Sequence, residues 1–148
     1  MSVMTTPISL TVTKFIRADR TRVFAAWVTP EIMNQWFCPQ GLTLADSSAD
    51  PRVGGDFHAV MKGDGQTHTV RGRYREIVPG QRLVFTHRWE EPDAVETLVT
   101  VEFAAKDDGT LVTLTHTNFR NEASRDGHVK GWESTLDSLE GYFDKARA

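Results

Sequence analysis

One change of period divides this chain and sets what it can become. Between Ile8 and Asn118 apolar residues recur at alternate positions, in ISLTVTKFI (8–16), FHAVMK (57–62), THTVRGRYREIV (67–78), RLVFTHRW (82–89), TLVTVEFA (97–104) and LVTLTHTN (111–118). After Asn121 the period becomes about 3.6. Val129, Trp132, Leu136, Leu139 and Phe143 then follow at spacings of 3, 4, 3 and 4, one stripe of an amphipathic helix. A lone helical stripe has to be buried, and the strands before it hold the apolar surface that can do so. A terminal helix of roughly 24 residues reaches about 36 Å. With the first strand and about six more in the meander, seven strands about 4.8 Å apart form a sheet of comparable width. One helix can therefore lie across one curved sheet and be gripped by it.

The connections specify the rest of the class. Pro79-Gly80 and Lys106-Asp107-Asp108-Gly109 are hairpin signals, so the sheet is antiparallel and the class is α+β. Two short helices are expected after the first strand. Asp19 N-caps the first, through VFAAWV, and Thr29-Pro30-Glu31 restarts the second with proline at its first position. Ile32, Met33, Trp36 and Phe37 give that second helix its apolar face, and Pro39 and Gly41 end it. No linker, charge block or repeat divides the 148 residues, and a single domain over 1–148 is expected.

Charge and composition exclude several function classes. A net charge of −3 offers no general attraction to phosphate backbones or anionic membranes, so no nucleic acid partner is expected. The longest apolar run, the six residues Val23 to Val28, is far short of the roughly 20 that span a bilayer, which argues against stable membrane insertion. One cysteine cannot form an internal disulfide, and MSVMTTPISL lacks the basic region and apolar core of a leader, so a cytoplasmic location is expected. The histidines at 58, 68, 87, 116 and 128 have no metal-ligand spacing and Cys38 has no cysteine companion, so neither metal nor cofactor is expected. Cys38 is expected to be an inert or only adventitiously reactive thiol near the mouth of a pocket. Arg71, Arg73, Arg75, Arg82 and Arg88 are expected on the outer sheet face, solvated and paired with acids such as Glu102.

Hairpin arithmetic assigns the inner face. A symmetric turn at Pro79-Gly80 pairs residues summing to 159, placing Tyr74 against Phe85, Gly72 against His87 and Val70 against Trp89 on the inside. Arg71 opposite Arg88, Arg73 opposite Thr86 and Arg75 opposite Val84 then face outward. In the last hairpin, pairs summing to 215 place Phe103 on Val112, Val101 on Leu114 and Val99 on His116. Glycine opposite His87 predicts empty volume at that point. His87 and His116 lie two strands apart, on the order of 10 Å at the backbone, either as two walls of a pocket or as core residues each bonded to a neighbour or a buried water. An apolar cavity with a few convergent polar groups suits a small molecule. The expected lining is Trp36, Phe57, Tyr74, Phe85, His87, Trp89, Val99, Val101, Leu114, His116, Trp132 and Leu136.

The segments LTVTKFIRADRTRVFAAWVTPEIMNQWF, Gly54-Gly55, GRYREIVPGQRLVFTHRW and GHVKGWESTLDSLEGYF occur in an order and spacing that resemble one family. It is the activator of heat-shock protein 90 ATPase homologue family, within the START-like (SRPBCC, birch-pollen-allergen-like) superfamily. The resemblance runs from about Ser9 to Phe143 and implies a helix-grip fold, a seven-stranded antiparallel sheet around the long C-terminal helix. It also implies binding of a hydrophobic or aromatic small molecule between sheet and helix. Some superfamily members are aromatases, cyclases or hydrolases, and an enzyme here would use His87 as acid or base with Tyr74 and His116 polarising a carbonyl. No nucleophile–base–orienter triad is legible. A third reading is a co-chaperone-like protein acting on a heat-shock protein 90 type ATPase. The eukaryotic co-chaperones of the family carry a separate chaperone-binding domain for which these residues leave no room, which weighs against a chaperone partner. A homodimer through an exposed edge strand is compatible with all three.

Overall fold

The computed structural model describes residues 7–63 and 65–147. Strand β1 (Ile8–Ile16) leads into helices α1 (Arg20–Val28) and α2 (Pro30–Met33). Six strands follow: β2 (Thr43–Ala49), β3 (Asp56–Gly63), β4 (Gln66–Val78), β5 (Arg82–Trp89), β6 (Thr97–Lys106) and β7 (Gly109–Phe119). Helix α3 (Glu122–Arg147) ends the fold. The sheet order is β1-β7-β6-β5-β4-β3-β2, antiparallel throughout, so β2 to β7 form an unbroken meander and β1 closes against the last strand. Helix α3 packs mainly on β1 and α1 packs on β6 and β7, which is the helix-grip arrangement.

Local chemistry accounts for the helix boundaries. Asp19 caps α1 by accepting a hydrogen bond from the Arg22 amide at 3.0 Å. Pro30 opens α2, where its missing N–H costs nothing. Helix α2 is shorter than the apolar pattern implies, ending at Met33. Trp36 and Phe37 follow in tight turns, both amides donating to the Met33 carbonyl. Both rings are buried in the core, and Pro39, which lacks a donor and biases Cys38 away from helix, stops the turns from continuing as helix.

The β4–β5 hairpin reaches the expected facing by two irregularities that cancel. The loop has three residues, since Val78 pairs with Arg82 around Pro79, Gly80 and Gln81, and Gly80 takes φ 73°. That odd length slides the register by one. A bulge between Tyr74 and Glu76 slides it back, restoring Tyr74 opposite Phe85 and Val70 opposite Trp89. The expected pairing of Arg75 with Val84 is therefore replaced by Glu76 with Val84. The β6–β7 pairs fall where expected, with Phe103 on Val112, Val101 on Leu114 and Val99 on His116.

Four of the five outer arginines are ion-paired, and Arg88 has no ion pair among the described residues. Arg71 meets Glu90, Arg73 meets Asp56 at 3.1 Å, and Arg75 lies 3.8 Å from Glu96. Arg82 bridges Glu76 at 2.6 Å and Glu102 at 3.2 Å. Among the described residues no helix is long and apolar enough to cross a membrane.

Candidate ligand-binding site

Gly72 lies in register with Phe57 on the neighbouring strand, and the Phe57 ring folds over it. A Cβ at Gly72 would stand 1.9 Å from the Thr86 carbonyl oxygen and 2.2 Å from the Phe57 ring. The empty volume expected there is thus a correction: the glycine is required by close packing. Phe57, Tyr74 and Phe85 pack ring against ring with centroids 5.0–6.3 Å apart. The crevice they share with Trp27 holds only about 10 Å³.

The open space lies further along the same face. A cavity of about 440 Å³ opens between β3–β5, the turn after α2 and the first half of α3. The sheet supplies Met61, His68, His87 and Trp89, and the turn supplies Phe37, Pro39 and Leu42. From the helix come Ala123, Gly127, Gly131 and Thr135, small residues four apart that keep α3 from filling the volume, with Trp132 beside them. The turn is held across the helix by the Gln40 amide, which donates to Ser134 Oγ at 2.7 Å.

Of the lining expected from the sequence, His87, Trp89 and Trp132 face this cavity. Trp36, Phe57, Tyr74, Phe85, Val99, Val101, Leu114 and Leu136 are instead part of the packed core. His116 lies one layer below the wall, fully buried. Cys38 is half-buried, its thiol bonded to the Leu42 carbonyl and its pKa raised by burial, which suits an unreactive thiol. His68, Met61, His128 and the small helical residues were not among the expected residues. His68 follows from the alternation that turns Val70 and Tyr74 inward, and the helical residues from their own i, i+4 spacing.

Two tryptophan–histidine bonds cross between sheet and helix and assign the imidazole tautomers. Trp132 on α3 donates its Nε1–H to His116 Nδ1 at 2.9 Å. The His116 proton therefore sits on Nε2, which donates to Thr97 Oγ1 at 2.6 Å, and Thr97 donates on to the His87 carbonyl at 2.8 Å. In the opposite sense, Trp89 on β5 donates its Nε1–H to His128 Nε2 at 3.0 Å, and His128 Nδ1–H donates to the Ser124 carbonyl at 2.8 Å. Both nitrogens of His116 and of His128 are occupied.

His87 stands between these pairs. Its ring lies against His116 with centroids 4.8 Å apart and against Trp89 at 5.3 Å, so the side chains close most of the backbone separation expected to keep the two histidines on separate walls. It is 4% exposed, faces the cavity, and among the described residues has no hydrogen-bond partner on another side chain, its own backbone being the one contact that partly offsets burial. Burial lowers its pKa to about 3, with His128 adding to the shift, and burial likewise lowers His116 to about 2. Both rings are neutral at physiological pH. Tyr74 is pushed above the usual phenol range by burial. Among the described residues no group of three or more His, Cys, Asp or Glu could hold a metal ion.

A family model matches residues 17–144, described as Activator of Hsp90 ATPase homolog 1-like protein. The chain belongs to that family. The helix-grip fold and the START-like superfamily resemblance agree with it. No match is found among curated proteins. Solved structures give the same fold. A protein from Chromobacterium violaceum is 24% identical with a TM-score of 0.85, covering 91% of this chain and 96% of that one. One from Rhizobium leguminosarum is 28% identical with a TM-score of 0.82, covering 95% and 96%. The AHSA1 protein of Silicibacter pomeroyi is 26% identical with a TM-score of 0.78, covering 90% and 96%. Members of this family and superfamily commonly bind hydrophobic molecules between sheet and helix.

Proposed function

We propose that this family member binds a small, largely apolar aromatic molecule in the 440 Å³ cavity between the sheet and α3. The observation that carries the reading is His87, a buried neutral imidazole with no side-chain partner, set in a wall otherwise dominated by Trp89, Trp132, Met61, Leu42 and Phe37. Apolar walls bury the body of a ligand and one imidazole fixes its polar atom. A catalytic use of the same residues has less support. His116 has no free nitrogen, and burial holds the His87 pKa far below the range where an imidazole transfers protons near neutrality.

Tryptophan emission reads the site directly, because Trp89 and Trp132 line it. Titration with N-phenyl-1-naphthylamine is expected to quench that emission saturably. Gly127 lines the cavity and a Cβ there meets nothing within 4 Å, so Gly127→Leu starts a side chain at the cavity wall from an open position. The variant should retain its helical circular dichroism and lose at least about tenfold in affinity, the order expected when a contact of one to two kcal/mol is lost. Absence of quenching at millimolar probe, or equal affinity in Gly127→Leu, would overturn the reading.

A further inference from the structure

A second chamber of about 170 Å³ also borders His87. The two chambers share His87, Trp89, Glu91, Ser124 and His128, so they adjoin as two lobes along the strip of wall that holds His87 and the Trp89–His128 bond. We propose that they take one amphipathic molecule, an aromatic carboxylate, with its ring system in the large lobe and its carboxylate at Arg120 in the small one. The proposal rests on the ligand-binding reading above and names the chemical class of that ligand.

The lobes differ in chemistry. Around the large lobe the side chains are mainly apolar, whereas the small one contains the guanidinium of Arg120. One Arg120 N–H is used to hold the side chain, Nη1 donating to the Asp93 carbonyl at 2.9 Å. Among the described residues no carboxylate forms an ion pair with it, as is also the case for Arg20, Arg22 and Arg88, but Arg120 alone of these four lines a chamber. A guanidinium anchored by a single bond keeps a planar fork of donors suited to a carboxylate.

The first turn of α3 points the same way. Ser124 belongs to both lobes and lies in that turn, and its amide is capped by Asn121 Oδ1 at 2.8 Å. The N-terminal end of a 26-residue helix adds partial positive charge beside Arg120, offset in part by Glu122 in the same turn. Independent of both is His87, more than nine-tenths buried and without a side-chain partner, facing both lobes. A neutral imidazole there meets a hydroxyl, ether or carbonyl oxygen between ring and acid. Only one carboxylate, Glu91, borders both lobes. It opposes an anion, and it makes a cationic ligand the competing outcome.

Three compounds that share one ring separate these cases: 1-naphthylacetate, its neutral isostere 1-naphthylacetamide, and the amine 1-(1-naphthyl)ethylamine. Binding is read by calorimetry on the full chain and on Arg120→Gln, Arg120→Lys and Glu91→Gln. Arg120 and Glu91 are exposed, so these variants leave the core intact. Acetate is expected to bind about tenfold more tightly than the amide, the scale of one charge-assisted pair. Arg120→Gln should remove that preference, Arg120→Lys keep part of it, and Glu91→Gln tighten the acetate further. If amide and acetate bind alike, or the preference survives Arg120→Gln, the carboxylate assignment is overturned while the cavity reading stands. Tightest binding by the amine, lost in Glu91→Gln, overturns it in favour of a cation. If no naphthyl compound binds, both readings fall.

Discussion

Trp132 can only donate through its indole nitrogen, and that one bond decides what His116 can do. It commits Nδ1 as acceptor, which commits Nε2 as donor to Thr97, which ties the chain of bonds to the His87 backbone. Truncation would strand the Trp132 N–H and the Thr97 hydroxyl in a dry interior. His116→Ala is therefore expected to cost about 2–4 kcal/mol, combining unsatisfied polar groups with a cavity. Urea denaturation followed by fluorescence checks this, and a loss below about 1 kcal/mol would show that the relay contributes little. His87 is the same residue type on the same face, and its ring is left open toward the cavity. Sequence alternation places both inside but cannot tell them apart, because the difference lies in partners 16 and 19 residues from His116 along the chain. Gly72 makes a similar point: its missing side chain reads as a void until Phe57 is seen to occupy it.

Helix α3 is joined to the sheet at successive levels. Trp89–His128 lies near its start, Trp132–His116 one turn later, and Lys14 with Asp137 (2.5 Å) and Glu140 (3.4 Å) toward its end. The first two are sheltered, while the Lys14 pairs are partly solvent-exposed and contribute little. The cavity sits beside the first two levels, where Ala123, Gly127 and Gly131 give the helix few side-chain contacts of its own. Trp89→Phe keeps a ring but removes the N–H that holds His128. Its amides from about 123 to 131 are expected to exchange faster, by about fivefold for a bond worth near 1 kcal/mol, with 136–143 unchanged. Hydrogen exchange by mass spectrometry distinguishes this from a uniform response, which would mean that the helix opens as one unit. At the opposite edge of the sheet, β2 (TLADSSA) could not be delineated from its own pattern, since an edge strand with little apolar alternation has no internal signal of its face.

The whole molecule carries neutral imidazoles in its interior, and its stability must follow pH accordingly. Above about pH 6.5 both folded and unfolded chains hold them neutral. Below that, the unfolded chain takes up protons while burial keeps His87 neutral to about pH 3 and His116 to about pH 2. The unfolded state then binds more protons, so stability falls as pH falls, by up to about 1.4 kcal/mol per pH unit for each histidine. Urea midpoints at pH 7.5, 6.0 and 5.0 should drop in sequence, with a shallower fall in His87→Gln. A flat midpoint across that range would contradict the burial of both rings in neutral form.

At this scale the division between sequence and tertiary structure has a physical basis. Strand alternation, hairpin pairing in β6–β7, the Asp19 cap and the helical stripe of α3 are set by residues a few positions apart, so the sequence alone determined them. The long helix and the strands that must bury it also determined the helix-grip architecture. The position of the cavity depends on how distant segments fill one another. Phe57 closes the space at Gly72, small residues on α3 open it beside His87, and Trp89 reaches His128 across 39 positions of chain. Those are packing outcomes, and only the tertiary structure decided where the empty volume lies and which histidine faces it.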